Sequence, residues 1–245
     1  QVARYIFSRK CLSVGITSST ADLQKFRKVL PRFLTSLNEE TPVSQEYSFV
    51  LEPKNEGLLS TSKVNYVVKG SHFGKLGYSF NGTLDLLERI LSREYLHDRI
   101  RVQGGAYGAF TTISRAGFIA FGSYRDPHLV ETLKHYNELV SYITTFDISD
   151  RDMVRFIIGT IAELDQPLTP SMKGERAINY YLQNIKDEDL QKERTEILTA
   201  TQKDIKALAP MMADILKNST ICVFGNEAKI KEYPDLFDNL VQVIE

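Results

Sequence analysis

Residues 81–124 read NGTLDLLERILSREYLHDRIRVQGGAYGAFTTISRAGFIAFGSY, and the hydrophobic period changes inside that stretch. From Asn81 to His97 the apolar residues Leu84, Leu87, Leu91 and Tyr95 recur at helical spacing and form one stripe. Gly104-Gly105 then ends the helix, because two adjacent glycines allow the backbone to turn sharply. Tyr107–Ser114 and Gly117–Tyr124 have the shorter period of strands and predict an antiparallel hairpin.

Working outward, Cys11–Thr17 alternates apolar and small residues and reads as a strand. Ser18, Ser19 and Thr20 supply a polar turn and an N-cap for a helix carrying Leu23, Phe26, Leu30, Phe33, Leu34 and Leu37. Pro31 is expected to kink or split it. The polar run 38–45 reads as a loop or linker. Tyr47, Phe49 and Leu51 mark one face of a strand, and Val64, Tyr66 and Val68 one face of the next, with Lys63, Asn65 and Lys69 on its wet side. On the other flank, Asp126-Pro127 predicts an N-cap and first helical residue, followed by Leu129, Leu133, Tyr136, Val140 and Ile143 on one helical face. Ser149 with Asp152 predicts a second capped helix, so that Asp147, Asp150 and Asp152 read as cap and solvated first turn. Pro167 and Pro170 punctuate a loop before a helix running to about Ile185. Thr201 with Asp204 predicts a third cap, ahead of a helix interrupted by Pro210, and Thr220–Phe224 a closing strand. Strands followed by a run of helices and one late strand predict an α+β fold with one mixed, largely antiparallel sheet covered by helices.

Composition narrows the function. The 245 residues hold 30 basic against 31 acidic side chains, without the basic excess of a nucleic-acid or anionic-membrane binder. No apolar run reaches the roughly 20 residues that span a bilayer. Cys11 and Cys222 are each flanked by apolar residues and are expected to be buried, reduced thiols. The chain starts at Gln1, which reads as a fragment whose parent begins elsewhere.

Catalytic patterns are scarce. His72, His97, His128 and His135 are the four histidines, and none stands in a His-x-x-Glu-His zinc motif. Glu94 and His97 form one Glu-x-x-His turn with no second copy. Neither a Walker phosphate loop nor Gly-x-Ser-x-Gly occurs. The segment Arg101-Val102-Gln103-Gly104-Gly105-Ala106-Tyr107-Gly108 stands apart, since Arg101 and Tyr107 flank a glycine hinge. They can act as two donors gripping an oxyanion or peptide carbonyl. Spacing alone equally describes a helix C-cap with a surface arginine and an interface tyrosine, and favours it.

Arg101-x-x-Gly104-Gly105-Ala106-Tyr107 resembles the C-terminal motif of the pitrilysin/insulinase zinc metallopeptidases, in the presequence-protease and falcilysin branch. Cys11–Thr17 resembles the strand ending one homologous domain of these enzymes. Thr201-x-x-Asp204-Ile205 with Ile221-Cys222-Val223-Phe224-Gly225-Asn226-Glu227 resembles the tail of the next. The resemblance implies a domain like those of LuxS and the mitochondrial processing peptidase. Residues 46–245 would be the last domain of the parent and 1–40 the tail of the preceding one. It implies a peptidase of two halves closing around a peptide, with zinc in the N-terminal half and no cofactor in this fragment, which alone would be inactive. Arg101 would hold a substrate carbonyl, Tyr107 would stabilise the oxyanion, and Gly104 and Gly105 would let the substrate approach. Expected partners are the peptide and the N-terminal half, with neither nucleic acid nor membrane. The expected compartment is the cytoplasm, or an organelle matrix for a eukaryotic parent. The alternatives are a catalytically inert homologue that binds peptides or scaffolds a complex, and an unrelated α+β binding domain.

Overall fold

The computed structural model describes residue 3 and residues 6–41, 46–49 and 52–243. In chain order the elements are α1 (Thr20–Leu34), β1 (Glu56–Ser60), β2 (Asn65–His72), α2 (Gly82–Ile90), a π-helical segment (Leu91–Gln103), β3 (Gly108–Ile113), β4 (Phe118–Asp126), α3 (Val130–Asn137), α4 (Leu139–Thr144), α5 (Asp150–Leu164), α6 (Pro170–Leu182), α7 (Asp187–Thr199), α8 (Gln202–Lys206), α9 (Ala209–Lys217), β5 (Thr220–Asn226), α10 (Glu227–Lys231) and β6 (Asn239–Gln242). The chain divides into two compact units, one of residues 52–165 and 191–245, the other of 1–51 and 166–190.

The larger unit carries a six-stranded sheet ordered β3-β4-β2-β5-β1-β6. The β3–β4, β4–β2 and β2–β5 pairs are antiparallel, while β5–β1 and β1–β6 are parallel. One face is packed by helices. Leu84, Leu87, Leu91 and Tyr95 are buried, as their spacing predicts, beside Val67, Ile119, Phe121 and Val223 from the sheet. Tyr136 is fully buried, and its hydroxyl donates to the Val67 carbonyl at 3.1 Å. Within this unit the other face is open. Tyr66 and Val68 remain 38% and 37% exposed while Val67 between them is 0%.

That result inverts the faces expected for β2. Both faces of this strand carry apolar groups, so alternation alone does not choose between them, and the helix-packed side takes Asn65 and Val67. Asn65 is tolerated there because its amide donates to the Asp126 carbonyl and its oxygen accepts from Asn226 N–H.

Other expectations change similarly. Residues 47–49 lie outside any strand, and Leu51 lies outside the described residues; the first strand is β1 instead. Asp126 ends β4 and caps no helix. Buried, it accepts hydrogen bonds from the Ser123 and Thr132 hydroxyls and from His128 N–H, fixing the turn into α3. The stripe Leu129–Ile143 is shared by two helices that break at Glu138. Both thiols are exposed rather than buried, since Cys222 stands on the open sheet face and Cys11 closes a short 3-10 turn. Neither α7 nor β6 was expected. The hairpin, the Ser149 and Thr201 caps and β5 stand as read, and Thr201–Asp204 forms a full capping box.

In the smaller unit Cys11–Thr17 forms no strand, because no neighbouring ladder pairs with it among the described residues. The segment lies against α6, where Gly15 meets Ile178 and Gly174 meets Thr17 closely. Helix α1 runs through Pro31 unsplit, with the i−4 hydrogen bond to the Arg27 carbonyl left unmade three residues before the helix ends. No residue of α1 or α6 is buried. The loop expected over 38–45 has no regular structure at 39–41, and 42–45 lie outside the described residues.

Candidate functional site

The junction between the π-helical segment and β3 is built by a Schellman-type ending. Gly105 N–H donates to the Arg101 carbonyl at 3.0 Å, and Ala106 N–H donates to the Ile100 carbonyl at 3.1 Å. Gly105 sits at φ +77°, the left-handed conformation that favours glycine, and buried Ala106 anchors the turn on the core. Arg101 therefore occupies the last helical turn, and Tyr107 follows the hinge immediately. Both side chains are exposed, Tyr107 by 60%.

Tyr107 rests edge-on against Tyr124 of β4, with ring centroids 5.4 Å apart. Gly108 makes this possible, because a Cβ there would lie 2.3 Å from the Tyr124 ring. The Arg125 guanidinium carbon stands 5.6 Å from the Tyr107 ring centroid. Arg125 itself adopts φ 49°, a conformation costly for a residue with a Cβ, beside the register shift where β4 meets β2. Tyr124 and the strained arginine thus hold the Tyr107 ring between them.

A cleft of about 380 Å³ runs along the same helix and β3. One wall carries Asp85, Arg89, Arg93, His97 and Arg101, each four residues after the last. The other carries Gly108–Thr111 and Tyr124. The ends differ in charge. Near α2, burial pushes the Asp85 carboxyl up to about 7, against the pull of the Arg115 cation. Burial also raises Glu88, although that carboxylate accepts the Ile113 N–H. Arg89 is paired with Glu163, and Arg115 with Glu193. Towards the hinge, Arg93, His97 and Arg101 leave the cleft basic.

The sequence reading singled out Arg101, Gly104, Gly105 and Tyr107, and the structure sets all four at this junction. It missed Tyr124, Arg125 and the cationic stripe. The repeat of four from Asp85 to Arg101 was readable, whereas the approach of Tyr124 and Arg125 depends on hairpin register. Among the described residues no three His, Cys, Asp or Glu side chains converge as metal ligands.

Comparison with known proteins identifies the family. The family profile described as the PreP C-terminal domain matches residues 55–225. Protein HypA of Clostridium perfringens is 41% identical over the whole chain, which covers 25% of that protein. Presequence protease 1, chloroplastic/mitochondrial, of Arabidopsis thaliana is 31% identical over 91% of the chain and 21% of its own length. The chain therefore spans about a fifth to a quarter of these relatives. Among solved structures, a protease from Helicobacter pylori superposes with a TM-score of 0.60 at 17% identity, covering 82% of this chain and 52% of that one. Pitrilysin gives 0.55 at 11% identity, covering 84% and 23%. These two establish a shared fold. With the family profile covering well over half of its residues, the chain belongs to the PreP C-terminal domain family.

Proposed function

We propose that this chain is the C-terminal, non-zinc-binding part of a zinc metalloendopeptidase that degrades peptides in a chamber closed by two halves. The observation that carries this reading is the glycine hinge that fixes Arg101 and Tyr107 at one helix–strand junction, with Tyr107 clamped by Tyr124 and Arg125. In that role the Arg101 guanidinium donates to a substrate backbone carbonyl and orients the peptide. The Tyr107 phenol donates to the oxygen that gains charge as the scissile carbonyl is attacked, and Gly104 and Gly105 leave room for the substrate backbone. In this reading the metal belongs to the N-terminal half of the parent protein. The same reading makes the fragment alone inactive.

Residues 1–40 are assigned to the tail of the preceding homologous domain. Helix α1, which lies in this segment and buries none of its own residues, supports the assignment. The two exposed, unpaired thiols fit a reducing compartment, the cytoplasm or the organelle matrix of a eukaryotic parent. No helix among the described residues is long and apolar enough to cross a membrane.

The test is peptide turnover by the full-length parent with and without a chelator. Turnover is abolished by the chelator, and Tyr107→Phe lowers it by about 10²–10³, the usual cost of one oxyanion donor. Unchanged turnover in Tyr107→Phe removes that residue's role. A parent that binds peptide but never cleaves it is an inert homologue instead.

A further inference from the structure

β3 is an edge strand whose outer backbone groups are only partly occupied. The Ser92 hydroxyl accepts from Thr111 N–H at 2.9 Å and donates to the Thr111 carbonyl at 3.3 Å. Glu88 accepts the Ile113 N–H at 2.5 Å. The groups pointing away from β4 are therefore those of the odd-numbered residues. Ala109 is next in that series, lines the cleft, and has no hydrogen bond on its outward N–H or C=O among the described residues. Strand and helix run in opposite directions, with Glu88 level with Ile113, Ser92 with Thr111 and Ile100 with Ala106. A chain pairing with this edge can enter at the hinge and pair at Ala109. It can go no further, because Ser92 and Glu88 already fill the next two positions.

The closed end of this edge is chemically distinct. Arg93 follows Ser92 directly and His97 is one turn on, and neither has an ion pair or hydrogen-bond partner among the described residues. Thr111 lines the same end, is buried, and its Oγ1 is the buried side-chain polar atom without a partner among the described residues. A buried hydroxyl left unpaired is costly, so a ligand that engages it recovers stability.

We propose that this closed edge captures the C-terminal carboxylate of an extended peptide. The peptide backbone pairs with Ala109 as an added strand, and its terminal carboxylate takes hydrogen bonds from Arg93, His97 and the Thr111 hydroxyl. An internal segment does not fit, because its backbone would have to continue through Ser92. The proposal rests on the peptide-binding part of the function proposed above.

Fluorescence anisotropy with the 245-residue chain tests it. The probes are an N-terminally labelled octapeptide of Ala, Ser and Leu with a free C-terminus, its C-terminal amide, and that amide with a penultimate Glu. The free acid binds about tenfold more tightly than either amide, as expected for a charge-assisted contact. Arg93→Gln, at an exposed position, removes most of that preference by weakening binding of the acid. Thr111→Val weakens the acid by about three- to tenfold and at the same time raises Tm, because a methyl replaces an unpaired hydroxyl. Equal binding of acid and amide, no binding of any probe, or full recovery by the internal Glu overturns the proposal. A Thr111→Val chain that is more stable but keeps its acid preference overturns it too. Turnover of Tyr107→Phe in the parent is read separately, so failure of the carboxylate site is distinguishable from failure of the peptidase reading.

Discussion

Asp85 is the residue whose chemistry departs furthest from its ordinary state on the cleft wall. Its carboxyl is pushed up to about 7 chiefly by burial, with Glu193, Glu88 and Glu163 adding to the effect and Arg115 opposing it. Between pH 4 and 7 the folded chain keeps a proton that the unfolded chain has released. Its stabilising contribution is therefore complete below the unfolded value near 3.8 and is lost as pH rises through 7. Asp85→Asn removes this dependence. At pH 8 the variant is more stable than the wild type by on the order of 1–2 kcal/mol, a figure lowered for the solvent that reaches the cleft. At pH 4 the two melt together. Thermal melts at both values check this, and a shift equal at both pH values rules out titration of Asp85 as the cause. Arg125 shows the other way a residue can be constrained here, since its backbone is held at φ 49° while its cation covers Tyr107.

Among the elements, α2 depends on what its first residue lacks. A Cβ on Gly82 would lie 2.2 Å from the Glu193 carbonyl oxygen, while Gly82 N–H donates to the Glu196 carboxylate at 2.8 Å. Gly82→Ala gains about 1 kcal/mol at most in helix propensity. It loses more by driving α7 off the start of α2, for a net destabilisation of about 1–3 kcal/mol. Urea unfolding measures this, and an unchanged midpoint contradicts the close approach. Here too the limits of the sequence become physical. Period and caps located α2, the hairpin, α5 and α8, because their signals are local. Helix α7 escaped notice because Asp187–Thr199 buries only Ile197 and has no sustained apolar stripe. β2 was located but turned over, since Tyr66 and Val68 are as apolar as Val67 and only the packed helices choose the inner face. The Arg101–Tyr107 pair was legible as a motif, whereas its clamp and the basic stripe required the third dimension.

At the scale of the molecule the two units differ in how much they bury. Helix α2 encloses Gly82, Leu84, Leu86, Leu87 and Ile90, whereas α1 and α6 bury none of their residues. Amide hydrogen exchange on the isolated chain separates them. Amides of α1 and α6 exchange about 100-fold faster or more than those of α2 and β2, as expected where opening is local. Equal protection means that the smaller unit has a core of its own. The larger unit carries a constraint in time. β5 lies between β2 and β1, and the Ser60 hydroxyl donates to the carbonyl of Gly225, 165 residues later. A ribosome adds roughly 5–20 residues per second, so β1 emerges on the order of ten to thirty seconds before its neighbour exists. Throughout that interval β2 can join the hairpin on one side while its other edge stays unsealed, open to any passing strand. Translation that stalls before Thr220 leaves a half-built sheet with a sticky border, and the seven residues of β5 close it.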